Sequence, residues 1–202
     1  MSIVKTPVAR SVLSHRTALA GQGIALREKP HLPKCILRGT MKKLDKLTKT
    51  VCELAAPKAG KTNANRAGAL HWIGPDSLLF VGDDVAAMTK VEALTAHAAH
   101  DFAHARAVSN NYTVIECSGP KARDALQKLA SLDLHPSVFR TADVAGTVFG
   151  HANVVLAARG EAVFDIIIRR SHADYMWCLI ANAGYEFGLP KELPVSGEIL
   201  RA

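Results

Sequence analysis

The chain has 202 residues, 49% of them hydrophobic, with 25 Lys and Arg against 18 Asp and Glu. That is enough apolar mass for a core of its own, and no apolar run reaches the ~20 residues of a membrane-spanning helix. The four cysteines, Cys35, Cys52, Cys117 and Cys178, lie far apart without C-x-x-C or zinc-ligand spacing. Three of them sit in apolar runs, so buried reduced thiols and a cytoplasmic setting are expected.

The formal net charge of +7 is unevenly placed. Residues 1–61 carry 13 Lys and Arg against 3 acids, 13 − 3 = +10, while residues 62–202 carry 12 against 15, a net of −3. Such halves suggest a basic arm that seeks an acidic partner, either nucleic acid or a protein surface. MSIVKTPVARSV at the start lacks the continuous apolar core of a secretory signal. It is acid-poor and carries Arg and Ser, which keeps an organelle transit peptide open as an alternative.

Residues 1–61 hold Pro7, Pro30, Pro33 and Pro57, a Gly-Gln-Gly at 21–23 and the basic run MKKLDKLTKT at 41–50. Little periodicity shows, which predicts an extended arm with one or two short elements, ordered by what it touches and removable from the compact part. The small, Pro- and Gly-punctuated run AAPKAGKTNANRAG at 55–68 reads as a linker. The compact domain of residues 62–202 then opens with ALHWIG and SLLFVG around Gly74-Pro75-Asp76, the turn chemistry of a β-hairpin.

In DDVAAMTKVEALTAHAA, Val85, Met88, Val91, Leu94 and Thr95 recur at three- and four-residue steps behind two aspartates, predicting an amphipathic helix. ARAVSNNYTVIECSG at 105–119 has the β-branching of one strand kinked at its two asparagines. SGPKARDALQKLASLDLHP at 118–136 predicts a helix with Pro120 in its first turn and Ala122, Leu126 and Leu129 facing inward beside Ala125. GTVFGHANVVLAARGEAVFDIIIRR at 146–170 reads as three strands turning near Gly150 and at Arg159-Gly160-Glu161. The last helix, SHADYMWCLIANAG, has Ser171 as a candidate cap with Asp174 three residues on, and a stripe of Ala173, Met176, Trp177 and Ile180. Gly184 can end it. This order predicts an α+β fold, a mixed or antiparallel sheet with helices on one face.

Four runs invite a chemical reading. AAPKAGKT at 55–62 imitates a phosphate-binding loop, but Ala55 stands where the first glycine belongs and no strand-to-helix setting surrounds it. His97, His100 and His104, with Asp101, would share a helix face as metal ligation requires. They also suit a helix end, where imidazoles meet the dipole in solvent. Asp133 and His135 lack a third orienting group and a nucleophile, and they suit a loop that leaves a helix at Pro136. No G-x-S-x-G elbow and no G-x-G-x-x-G fingerprint occurs.

From Ser118 to Trp177 the chain resembles the γ subunit family of heterotetrameric sarcosine oxidase. The landmarks are SGPKARDALQKL, SLDLHPSVF, AGTVFG and FDIIIRRSHADYMW, with IGPDSLLFVG at 73–82 matching a hairpin of that family. In that family the Leu-Asp-Leu-His-Pro run is a structural signature. The resemblance implies a fold related to the folate-binding domain of aminomethyltransferases, a ferredoxin-like arrangement. It also implies a complex that oxidatively demethylates sarcosine to glycine with hydrogen peroxide and, with tetrahydrofolate, 5,10-methylenetetrahydrofolate. The partners implied are the alpha, beta and delta subunits, chiefly the large alpha subunit. FAD, FMN, NAD and tetrahydrofolate are implied for the larger subunits and zinc for the small one.

Aminomethyltransferases place an acidic residue after a glycine-rich strand turn. Here FGHANVVLAARG at 149–160 offers His151, Asn153 and apolar residues, with no carboxylate before Glu161. A neutral strand can neither stabilise a developing iminium nor take its proton. The expectation is therefore a noncatalytic structural subunit, with no catalytic, cofactor-binding or metal residue on this chain. A self-sufficient folate-dependent aminomethyltransferase is one alternative. A nucleic-acid-binding module is another, weakened because residues 1–61 contain no Phe, Tyr or Trp for base stacking.

Overall fold

Apolar residues on both sides of most strands require cover on both faces of a sheet, and two sheets packed face to face supply half of it. The computed structural model describes residues 9–98 and 103–195. In chain order these form β1 (Leu19–Ala20), β2 (Ala25–Lys29), β3 (Lys34–Arg38), α1 (Met41–Cys52), β4 (Thr62–Asn65), β5 (Gly68–Gly74), β6 (Ser77–Gly82) and α2 (Met88–Ala98). Then follow β7 (His104–Ala107), β8 (Tyr112–Ser118), α3 (Ala122–Gln127), β9 (Val144–Phe149), β10 (Ala152–Gly160), β11 (Val163–Arg169) and α4 (Ala173–Ala183).

The first sheet runs β1-β2-β8-β11-β10-β9 and the second β4-β5-β6-β3-β7, and neighbouring strands in both are antiparallel. The α+β class and its antiparallel pairing follow the expectation, but the strands divide between two sheets where one was expected. Alternation then assigns the layers. On the first sheet Ile115, Phe164, Ile166 and Ile168 face α3 and α4 and pack with Leu126, Met176, Trp177 and Ile180. On the second, Leu37, Leu78 and Phe80 face α1 and α2 and pack with Leu44, Leu47, Val91 and Leu94. Leu79, Val81, Val114 and Ile167 meet between the sheets. The order is helices, sheet, sheet, helices.

The segment expected to be an extended arm is woven into both sheets. β3 lies between β6 and β7, β2 lies between β1 and β8, and residues 41–52 form a helix. The signal was present: Leu44, Leu47 and Val51 recur on one face and are buried, while Lys42, Lys43, Lys46 and Lys49 are exposed. The run 55–68, read as a linker, holds β4 and the turn at Asn65 that joins it to β5.

Four local expectations are corrected as well. The strand kinked at Asn110 and Asn111 is two strands, β7 in the second sheet and β8 in the first, so the asparagines carry the chain from one sheet to the other. The helix expected over 118–136 is helical only at Ala122–Gln127. Ser171 does not cap α4: His172 holds that position without a side-chain bond, and the Asp174 carboxylate instead accepts from His15 Nε2, Arg16 Nε and the Val195 N–H. Val85, expected on the buried stripe, is 63% exposed in a short turn that Asp84 caps before α2. The hairpin at Gly74-Pro75-Asp76 and the three strands after residue 144 stand where the sequence put them. No described helix is long and apolar enough to cross a membrane.

Candidate functional site

Paired residues in neighbouring strands share a sheet face, as do residues two apart in one strand. Tyr112 pairs with Arg169, Val155 with both Ile167 and Gly146, and Asn153 with Val148. All seven therefore project from the face of the first sheet that meets the second. Ile167 is buried there, but Gly146, Val148, Asn153 and Arg169 are exposed, so the cover ends before the sheet does. What remains is a groove of about 440 Å³, also lined by His151 and His172. A second groove of about 620 Å³, lined by Ile36, Arg106, Asn110, Asn111, Arg170 and Ser171, joins it through the shared Tyr112 and Arg169.

No Asp or Glu lines either groove among the described residues. The guanidinium groups of Arg106 and Arg169 and the Tyr112 hydroxyl have no partner among the described residues, and Arg170 Nη1 donates to the Asn110 carbonyl at 3.4 Å. Cations, imidazoles, amides and a phenol over a floor of Val155 and Ile167 can hold an anion with an apolar part. They offer no carboxylate to stabilise an iminium or take its proton.

A second polar cluster lies deeper, between the sheets. Arg27 Nε donates to Glu116 Oε1 at 2.7 Å and Lys29 Nζ to Asp165 Oδ2 at 3.1 Å. Arg159 crosses to the other sheet, donating to Asp83 at 3.1 Å. Burial works against ionised Glu116, but the Arg27 hydrogen bond and charge outweigh it, with Lys29 and Arg159 adding, and its pKa falls below the ordinary value. For Asp165 burial wins over Lys29 and Arg159, and its pKa is raised. His71, bonded through Nδ1 to the Thr62 hydroxyl at 2.8 Å, is pushed down to about 3 by burial, then by Arg159 and Lys29. These groups satisfy one another from the exposed Arg27 inward, and the Arg159–Asp83 pair joins the sheets.

The residues singled out in the sequence are not brought together. The Asp133 carboxylate accepts the His135 N–H at 2.8 Å, His135 Nδ1 meets Ser137 Oγ at 2.7 Å, and the His135 carbonyl accepts from Val138 and Phe139. Each of these bonds is spent within its own turn. His97 is exposed, with Nδ1 at 2.8 Å from the Ala93 carbonyl, and His104 begins β7; His100 and Asp101 lie outside the described residues. Among the described residues no group of three His, Cys, Asp or Glu could hold a metal ion. Residues 55–62 lead through a turn at Gly60 into β4, and Lys61 Nζ pairs with Asp143, so backbone N–H groups do not converge there as a phosphate cradle needs. Arg106, Tyr112 and Arg169 did not stand out as a site because β7, β8 and β11 meet only in the folded chain; the Arg169-Arg170 doublet and the run at His151 were the available signals.

The comparisons with known proteins agree with this architecture. Sarcosine oxidase subunit gamma of Corynebacterium sp. (strain P-1) is 29% identical over 119 residues, which cover 59% of this chain and 58% of that protein. The match thus spans less than two thirds of the curated relative. The aminomethyltransferase of Koribacter versatilis is 39% identical over 87 residues, 41% of this chain and 23% of that one. Among solved structures, a chain of the heterotetrameric sarcosine oxidase from Corynebacterium sp. U-96 in complex with pyrrole 2-carboxylate superposes with a TM-score of 0.79. It is 23% identical, with 92% of this chain and 99% of that one covered. Aminomethyltransferase T of Bartonella henselae superposes with a TM-score of 0.61 at 15% identity, covering 79% of this chain and 46% of that one. Both superpositions show a common fold. The sarcosine oxidase gamma subunit family model matches residues 47–186, well over half of the sequence and including most of the strands that frame the groove, and the chain belongs to that family.

Proposed function

We propose that this chain is a noncatalytic, structural subunit of a cytoplasmic sarcosine oxidase complex. That complex oxidatively demethylates sarcosine to glycine and hydrogen peroxide and, with tetrahydrofolate, yields 5,10-methylenetetrahydrofolate. Its partners are the alpha, beta and delta subunits, chiefly the large alpha subunit, which with the others carries FAD, FMN, NAD, folate and zinc. The observation that carries this reading is the family match over residues 47–186. The groove supports the noncatalytic part, because its described lining has no carboxylate. The similarity to aminomethyltransferases favours a second reading, a transferase in its own right, which the same lining opposes. Co-expression with the other three subunits tests both. The expected result is co-purification of the chain with a flavoprotein, and loss of assembled oxidase when the chain is omitted. The isolated chain should be colourless and transfer no aminomethyl group to tetrahydrofolate. Transfer by the isolated chain establishes the second reading, and assembly of a fully active oxidase without it removes the first.

A further inference from the structure

We propose that the joined groove at the open end of the first sheet receives an acidic segment of the large partner subunit, its carboxylates alternating with apolar side chains. This deepens the subunit reading and rests on it. Three observations converge on that occupant. Arg106 and Arg169 are exposed, on strands of different sheets, and carry no partner among the described residues. Arg16, Arg27 and Arg159 each meet a carboxylate, at 2.7, 2.7 and 3.1 Å, so guanidinium–carboxylate pairing is a contact this chain already uses. Second, the lining of both grooves contains no acid, so the cations there are not neutralised from within. Third, the floor beneath them is apolar, with Val155 half-buried and Val148 40% exposed. A free carboxylate ion would leave that floor wet, whereas a polypeptide presenting acids around an apolar residue covers both. The charges would steer encounter and fix register, and the floor would hold the docked segment.

Gly146 supplies a way to close the groove without breaking the fold. A side chain added there meets nothing within 4 Å, and the backbone does not need a positive φ. Full-length chain is titrated, by fluorescence anisotropy at low and high salt, with a labelled eight-residue peptide alternating Glu and Leu. The variants are Arg106→Glu with Arg169→Glu, Gly146→Phe, and Lys58→Glu as a charge control on another surface, each checked for native circular dichroism. Salt-sensitive binding is expected, weakened about tenfold or more by the arginine reversals and by Gly146→Phe and unchanged by Lys58→Glu. The same two groove variants should reduce co-purification with the co-expressed partner subunits. Peptide binding that is absent, or equal in all variants, overturns the proposal, as does tighter binding of a labelled oligouridylate through the same arginines. If the groove variants assemble as the wild type does, this surface is wrong and the subunit reading stands. If the wild type captures no partner, that reading fails, and the peptide titration alone decides the groove.

Discussion

Trp177 is 1% exposed among Phe164, Ile166 and Ile180, and its indole Nε1 is a buried side-chain polar atom with no partner among the described residues. Its worth is therefore packing. Trp177→Ala is expected to cost about 3–5 kcal/mol through lost burial and the cavity left behind, read from denaturant midpoints at constant slope. In a Trp72→Phe background its emission should be blue-shifted, and a solvent-like maximum would contradict this packing. His71 makes a different demand. Its pKa of about 3 in the fold lies below the ordinary 6.5, so between those values the unfolded chain binds more protons. Stability is then fully present above the unfolded value and is lost as pH falls from about 6.5 toward 3. The slope due to this group is at most about 1.4 kcal/mol per pH unit. His71→Asn, which keeps an acceptor for Thr62, should flatten stability between pH 7 and 5 relative to wild type; an unchanged slope would show that other groups cause it.

At the scale of elements, the turn between β9 and β10 is held by a close approach. Gly150 has φ +56°, and a Cβ there would run into the Tyr175 hydroxyl of α4. That hydroxyl accepts the His151 backbone N–H, so the turn and the helix are tied together beside the groove. Gly150→Ala should destabilise by about 1–3 kcal/mol from backbone strain and the clash. Tyr175→Phe with Gly150→Ala should recover the clash component, and a neutral Gly150→Ala in thermal melts would show the turn to be slack. Gly150 could be placed at a turn from sequence because it separates two alternating runs. The partner that makes it irreplaceable lies 25 residues away in sequence and could not be. The same limit explains α1: its Leu44, Leu47 and Val51 spacing is helical, but four lysines and a surrounding of prolines made the stretch read as an arm. It is held by the face it buries against Leu78 and Phe80, elements that follow it in the chain.

The whole molecule depends on its first fifty residues. Deleting residues 2–50 removes β1, β2, β3 and nearly all of α1. β3 is the strand between β6 and β7, and β2 supplies Arg27 and Lys29 to the carboxylates between the sheets. The truncated chain is expected to lose its cooperative thermal transition and most of its strand signal in circular dichroism, where an arm would have been dispensable. A cooperative melt in the truncated chain would mean that residues 62–202 fold alone. Sequence by itself determined the elements whose stabilising partners are near: the hairpin at Gly74-Pro75-Asp76, the strands from Val144 to Arg169, and α4 with its stripe at Ala173, Trp177 and Ile180. It also carried the motifs by which the family is recognised. Tertiary structure alone decided that the strands divide into two sheets, that Asn110 and Asn111 pass the chain between them, and that Arg106, Tyr112 and Arg169 share one groove. The physical reason is that periodicity reports which face of a strand is buried, whereas strand order depends on pairings between distant segments that alternation leaves equally open.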